Sequence, residues 1–354
     1  MKRDRPRITI LTTTAAGPVV PGIIQSLRES RRFEYRVVGV DAKPGGVGAE
    51  FADVYHVVPM GNEGEKYFSA IFELCRREGV DVVLPISDEE VLTLSLYKQF
   101  FESIGVGVLC NEYEITRTAL RKDYTLEKLE SHGIETPGWY APHNMNLFDK
   151  ALSSLGFPDS DVVVKPVSAR GSRGFRIIKK EFDEFSRIYM EKEEIYIKPD
   201  RLRRILAGQR KFPSLLLMEY LPGDSWNVDV FAEKGNARCI VPHKRQGYRW
   251  GNVDRALLTP DPEVCSLCRR IVAAFGFDHL INIELNKNSE GRLQLVEINP
   301  RASATLAQNR LAGLNLLDMA VAASLGYSVS VPGVFDEGEY ILYWSDVMVG
   351  ADKH

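Results

Sequence analysis

Leu280-Ile-Asn-Ile-Glu-Leu-Asn-Lys287 and Arg292-Leu-Gln-Leu-Val-Glu-Ile-Asn299 are two aliphatic, strand-like runs separated by the turn signal Asn288-Ser-Glu-Gly291. The pattern predicts a β-hairpin. With the turn centred between Glu290 and Gly291, Glu284 faces Glu297 and Asn282 faces Asn299. Side chains alternate across a strand, so both pairs share one face and Ile281, Ile283, Leu285, Val296 and Ile298 take the other, which predicts a buried side and a fixed register. Two carboxylates directly opposite on one face repel by a few tenths to about 1 kcal/mol unless a cation lies between them. Asn299 shares their face and Arg301 follows the strand end. Glu284, Glu297 and Asn299 therefore form a set of hard oxygen donors suited to Mg²⁺ beside phosphate oxygens, rather than a merely solvated face.

Working outward, 354 residues are enough for two to three domains. Charged residues at 26% and hydrophobic residues at 44% exclude a disordered, collagen-like or coiled-coil chain. A net charge of -3 gives no support for a nucleic-acid or membrane partner drawn in by overall charge. The five cysteines are odd in number and mostly isolated, which points to a reducing compartment and so to the cytoplasm. Ile8 to Leu27 is uncharged and follows a basic start, but Thr12, Thr13, Thr14, Gly17, Pro18, Pro21 and Gln25 interrupt it. A strand, turn and helix fit that stretch better than a signal peptide or membrane span.

The first third alternates strand-like runs, Ile8–Thr13, Tyr35–Val40, Asp81–Ile86 and Val106–Cys110, with helical periods such as Phe68, Ile71, Phe72 and Cys75. This predicts a doubly wound α/β domain with an open parallel sheet, ending near residue 112. Its first turn, Ala15 to Gly22, lacks the G-x-G-x-x-G spacing, so the later Asp41 makes only a weak case for a dinucleotide. Pro85-Ile-Ser-Asp-Glu-Glu90 follows a predicted strand and reads either as a ligand-facing loop or as an N-cap with an acidic first turn. A polar helical pattern spans Glu112 to Gly133 and contains Arg121, Lys122 and Asp123. Beyond it, Val162–Val167, Phe175–Lys180 and Leu215–Leu221 read as strands of a compact α+β unit.

Between the first two of those strands lies Lys165-Pro-Val-Ser168-Ala-Arg-Gly171-Ser172-Arg-Gly174, which joins a strand-end lysine to hydroxyls and glycines. That composition can cradle phosphate, although it is not a P-loop. The basic residues Lys198, Arg201, Arg203, Arg204, Arg210 and Lys211 read as a solvated helix face rather than a phosphate funnel. Cys265 and Cys268 belong to a stripe with Val264, Leu267, Ile271 and Phe275, so packing is expected of them rather than zinc or redox chemistry. His56, His132 and His279 are isolated, and structural roles are expected for each.

Taken together, Leu120-Arg-Lys122-Asp-Tyr124, Lys165 with its glycine loop, Met218-Glu-Tyr-Leu-Pro-Gly223 and Glu297-Ile-Asn-Pro-Arg301 make the chain resemble the ATP-grasp superfamily. It looks most like single-module relatives of the carbamoyl phosphate synthetase large chain, over nearly its whole length. The resemblance implies a pre-ATP-grasp α/β domain at residues 1–112 and a helical linker at 113–145. A mobile lid at 146–222 and a catalytic subdomain at 223–354 complete the implied ATP-grasp region. It implies ATP as nucleotide and Mg²⁺, or alternatively Mn²⁺, as metal, held by Glu284, Glu297 and Asn299. Lys122 and Lys165 would contact phosphates under the loop of Ser168, Gly171, Ser172 and Gly174, with Glu219, Tyr220 and Leu221 at the adenine. Asp224 stands where relatives usually offer a glutamate to the ribose. Arg245 resembles a basic strand residue that faces the acyl phosphate, with Arg301 beside it.

Such a site needs no nucleophilic Ser or Cys. Phosphoryl transfer from ATP turns a carboxylate into an acyl phosphate, an amine or other nucleophile displaces phosphate, and a lid keeps water away. The expected function is an ADP-forming carboxylate-amine ligase acting on small molecules, with a homodimer compatible with that reading. The nucleotide is expected between the lid and the hairpin sheet, not at Gly17. The alternatives are a carboxylate kinase or carbamoyl-phosphate-forming enzyme using bicarbonate, and a non-catalytic nucleotide-binding regulator. Neither the acid nor the acceptor is legible.

Overall fold

The computed structural model describes residues 5–168, 173–183, 195–249, 252–343 and 345–348. The chain divides into two compact units, one of Met1–Leu120, Trp226–Glu284 and Glu297–His354, the other of Arg121–Ser225 and Leu285–Val296.

The first unit opens with β1 (Arg7–Thr12), β2 (Glu34–Asp41), β3 (Val54–Val57), β4 (Val82–Leu84) and β5 (Gly107–Val108) in the order β3-β2-β1-β4-β5. All four pairings are parallel, as expected. Ile10, Leu11, Val37, Val38, Val82 and Val83 are almost wholly buried because helices cover both faces. The helix Val20–Arg28 turns Ile23, Ile24 and Leu27 inward, and Glu65–Glu78 turns in Tyr67, Ile71, Leu74 and Cys75. Phe68 and Phe72 pack at the margin of the same core. β3 was not legible because it is short, half-exposed and without an apolar run. The single long helix expected from Glu112 to Gly133 is two helices, Tyr113–Ala119 and Lys122–Ser131. They break at Leu120 and Arg121, where one unit gives way to the other.

A larger sheet is built from β11 (Ser225–Glu233), β12 (Asn236–Arg249), β13 (Asn252–Leu258), β14 (His279–Lys287), β15 (Leu293–Asn299) and β16 (Gly338–Ile341), ordered β15-β14-β11-β12-β13-β16. The antiparallel run β11-β12-β13 escaped sequence reading. In β11 every residue from Trp226 to Ala232 is buried, so polar Asn227 and Asp229 mask the apolar pattern, and β12 carries Pro242 and a register shift near Gly247. The helix Pro262–Phe275 is capped by Asp261, whose carboxylate accepts from the N–H groups of Glu263 and Val264. It buries Val264, Cys268, Ile271 and Phe275, the packing role expected of the cysteine stripe.

The second unit has a five-stranded sheet of β6 (Trp139–Tyr140), β7 (Val162–Pro166), β8 (Arg176–Ile178), β9 (Tyr196–Ile197) and β10 (Leu215–Glu219), ordered β6-β10-β7-β8-β9. Phe148 and Leu152 from the helix Met145–Ser154, and Leu202 and Leu206 from Pro199–Ala207, pack on Val162, Val164, Ile178 and Leu217. Arg203 faces outward to Asp149 at 2.8 Å and Asp200 at 3.0 Å, as a solvated basic face requires. The hairpin tip is centred on Glu290 rather than between Glu290 and Gly291. Asn288 Oδ1 accepts from the N–H groups of Glu290 and Arg292, the Asn288 N–H donates to the Arg292 carbonyl at 2.9 Å, and Gly291 takes φ +81°. A side chain that imitates a turn backbone thus moved the tip by half a residue, which slips the pairing there by one residue from the register expected for Glu284 and Glu297, whereas the Asn282–Asn299 contact keeps the expected one. Among the described residues no helix is long and apolar enough to cross a membrane.

Candidate functional site

In the first unit, β14 and β15 carry the oxygen donors. Arg245 Nη2 on β12 donates to Glu284 Oε2 at 2.6 Å. Asn299 Nδ2 donates to Asn282 Oδ1 at 3.4 Å, so the asparagine pair expected to be opposite does meet. Arg301 Nη2 donates to Asn299 Oδ1 at 3.3 Å, and its Nε donates to Asp88 Oδ1 at 2.9 Å. Glu297 lies half-buried two residues before Asn299 on the same strand. The buried side of the hairpin is as expected at Ile281, Ile283, Leu285 and Ile298, while Val296 is only half-buried.

Sequence reasoning singled out neither Asp229 nor His243. Asp229, 1% exposed, accepts on Oδ1 from Asn282 Nδ2 (2.9 Å) and Ser303 Oγ (2.6 Å), and on Oδ2 from Thr305 Oγ1 (3.0 Å) and Asn309 Nδ2 (3.1 Å). Burial pushes its pKa up, but His243 and these donors outweigh it, leaving the carboxyl below its usual range. The alternation of Asn227 and Asp229 with Trp226, Val228 and Val230 was the one available signal, and it resembles any strand with a wet face.

Two other stretches singled out in the sequence lie in the first unit. The Ala15–Gly22 turn is packed by its own chain: Asp41 Oδ2 accepts the Ala16 N–H at 3.0 Å, and a Cβ at Gly46 would come within 2.5 Å of the Ala16 carbonyl oxygen. Asp41 thereby caps the turn. Ser87 caps the helix Asp88–Leu96 in a reciprocal box with Glu90, so the N-cap reading holds. Glu90 Oε2 also accepts from Thr13 Oγ1 and Thr14 Oγ1.

The second unit carries the lysines. Lys165 on β7 is 5% exposed, and its Nζ donates to the Val296 carbonyl at 3.0 Å. Lys122, also buried, opens its helix with its N–H bonded to the Val167 carbonyl at 3.0 Å, which fixes it at the end of β7. Ser168 is exposed, and Gly171 and Ser172 lie outside the described residues. Gly174 has φ +77°, and a Cβ there would sit 2.8 Å from the Pro166 ring. Glu219 ends β10, held to Gly138 through backbone and side chain. Tyr220 is half-buried, and burial raises its phenol pKa, with Tyr196 and Asp161 adding to the effect. The Leu221 carbonyl accepts from Asn286 Nδ2 at 3.2 Å. Asp224 is exposed, and its carbonyl accepts the Lys287 N–H at 2.8 Å. In the β7–β10 ladder Lys165 pairs with Leu216 and Glu219 with Val162, three positions along, so the lysine and glutamate side chains leave opposite faces of the sheet.

The donor chemistry fits a divalent cation and an anionic nucleotide. The oxygens of Glu284 and Asn299 already accept from cationic groups, and the buried residues Lys122 and Lys165 both stand near the end of β7.

Residues 211–343 match the family described as "ATP-grasp in the biosynthetic pathway with Ter operon", and residues 13–109 match "PylC-like, N-terminal domain". The chain is 22% identical over 338 residues to the carbamoyl phosphate synthase large chain of Clostridium botulinum (strain Alaska E43 / Type E3), covering 90% of this chain and 29% of that one. It thus spans less than a third of the length of that relative. Among solved structures it is similar to the Staphylococcus aureus N5-carboxyaminoimidazole synthetase complexed with ADP, with TM-score 0.68 and 16% identity over 93% of this chain and 80% of that one. It is also similar to the biotin carboxylase domain dimer of the Hydrogenobacter thermophilus 2-oxoglutarate carboxylase, in complex with MgADP, ADP and bicarbonate. There the TM-score is 0.67 and the identity 14%, over 93% and 73% of the two chains. At these identities the structural likeness speaks for the fold.

Proposed function

From the match of residues 211–343 to an ATP-grasp family and the similarity to the carbamoyl phosphate synthase large chain, we propose that this chain is an ATP-grasp protein and an ADP-forming ligase that joins a small-molecule carboxylate to an amine or similar nucleophile. The observation that carries the proposal is the pairing of oxygen donors with arginines, Glu284 with Arg245 and Asn299 with Arg301. It puts metal-type ligands beside guanidinium groups able to receive a carboxylate or phosphate.

In this reading Glu284, Glu297 and Asn299 hold Mg²⁺ or Mn²⁺, which when bound neutralises phosphate charge. Lys122 and Lys165 donate to phosphate oxygens, with Ser168, Gly171, Ser172 and Gly174 in the covering loop. Glu219, Tyr220 and Leu221 take the adenine and Asp224 the ribose. An acid oxygen attacks the γ-phosphorus, the bond to ADP breaks, and the acyl phosphate lies against Arg245 and Arg301. The amine then attacks the acyl carbon, loses a proton, and phosphate leaves with the former acid oxygen. The functional division proposed is 1–112, 113–145, 146–222 and 223–354, in a cytoplasmic enzyme for which a homodimer is compatible.

The test is a matrix of carboxylates against amines, read by ADP release. ADP and phosphate appearing only with a matched acid and amine supports the proposal, and AMP with pyrophosphate contradicts it. A carboxylate kinase or carbamoyl-phosphate-forming enzyme is favoured to the extent that the likeness to the synthase extends to bicarbonate, and a stable phosphorylated product would identify it. A non-catalytic regulator would show nucleotide binding without ADP release under every combination. Retention of Glu284, Glu297 and Asn299 speaks against it.

A further inference from the structure

Behind Asn299 the amide groups stand in series, and their order is fixed by chemistry. Asn282 Nδ2 donates to the Val228 carbonyl at 3.3 Å and to Asp229 Oδ1 at 2.9 Å. A main-chain carbonyl can only accept, so Asn282 must turn its nitrogen inward and its oxygen toward Asn299. Asn299 then has to offer Nδ2 to that oxygen, which leaves its own Oδ1 pointing out, where it accepts from Arg301 Nη2. Asp229 is held in turn by Ser303, Thr305 and Asn309, and His243 Nε2 bonds Asn309 Oδ1 at 2.8 Å. All six of these network residues and Asn299 are buried.

We propose that Asn282 is a positioning residue: backed by Val228 and Asp229, it turns the Asn299 amide so that its oxygen, and not its nitrogen, is presented to the metal. Only the oxygen of an amide ligates Mg²⁺, so an amide left to choose its orientation would ligate part of the time. This inference rests on the metal role assigned above to Asn299, and it adds the residues that decide which atom Asn299 shows.

The test is a double-mutant cycle read by Mn²⁺ binding in the presence of ADP, followed by the electron paramagnetic resonance of free Mn²⁺. Asn282→Leu removes the acceptor that holds Asn299, and Mn²⁺ affinity falls about tenfold while metal-free ADP affinity stays at the wild-type value. In an Asn299→Asp background both ends of the side chain are oxygen, orientation no longer matters, and Asn282→Leu produces no further loss. Asn282→Ser, a smaller change whose hydroxyl falls short of Asn299, repeats the cycle should the leucine variant not fold. An equal loss in both backgrounds, or no loss in either, overturns the relay. Glu297→Gln is the separate control: wild-type Mn²⁺ binding in that variant removes the metal assignment itself.

Discussion

Glu297 offers the cleanest single-residue test, because a glutamine there keeps size and packing but removes a charge that a metal needs. Glu297→Gln should fold normally, lose Mg²⁺-dependent ADP release by orders of magnitude, and keep part of its metal-free nucleotide binding. Full activity would end the assignment. Two buried groups contribute to the response to acid. Burial pushes the His279 imidazole down to about 4, below the value of about 6.5 for an unfolded chain. The unfolded state therefore takes up a proton first. Stability from the neutral ring is complete above pH 6.5 and declines as pH falls toward 4. The depressed carboxyl of Asp229 has the opposite charge and the same sense, its contribution being lost only below the ordinary carboxylate range. Melting temperatures between pH 8 and 3 should fall in two stages, and His279→Asn, which tolerates the φ of +60° there, should remove the first. An unchanged slope between pH 6.5 and 4 in that variant would contradict the role given to His279.

Among the elements, the glycine beside β7 and the cap after β4 lend themselves to prediction. Gly174→Ala combines a positive φ with a clash on Pro166, so it should destabilise the protein by about 1–3 kcal/mol and weaken ATP binding. Calorimetry and nucleotide titration would show it. Ser87→Ala removes one half of the capping box and should cost about 1 kcal/mol, measured by denaturant unfolding. Strands of the first sheet were legible because two-sided burial demands continuous apolar runs, as in Val37 to Val40. The hairpin was legible because its alternation and turn agreed. Its tip was misplaced because Asn288 acts through its side chain, which a centred turn ignores. β11 was hidden because Asn227 and Asp229 are buried with partners contributed by residues 243 to 309, far along the chain. The pairing of Arg301 with Asp88 was equally out of reach, since 213 positions separate them.

At the scale of the molecule, the chain passes between its two units at 120/121, 225/226, 284/285 and 296/297, and each unit holds part of the residues assigned roles above. Lys122, Lys165 and Glu219 belong to one unit, and Glu284, Glu297, Asn299 and Arg301 to the other. The central claim is that these residues activate a carboxylate through the γ-phosphoryl group of ATP. The most direct test labels the acid with oxygen-18 and follows the label by mass spectrometry of inorganic phosphate, in the presence of ATP, Mg²⁺ and the accepting amine. One labelled oxygen should pass into phosphate for each product formed, and Lys165→Ala should suppress that transfer together with ADP release. Product accompanied by AMP and pyrophosphate, or product formed with ADP while phosphate remains unlabelled, would contradict the acyl phosphate mechanism.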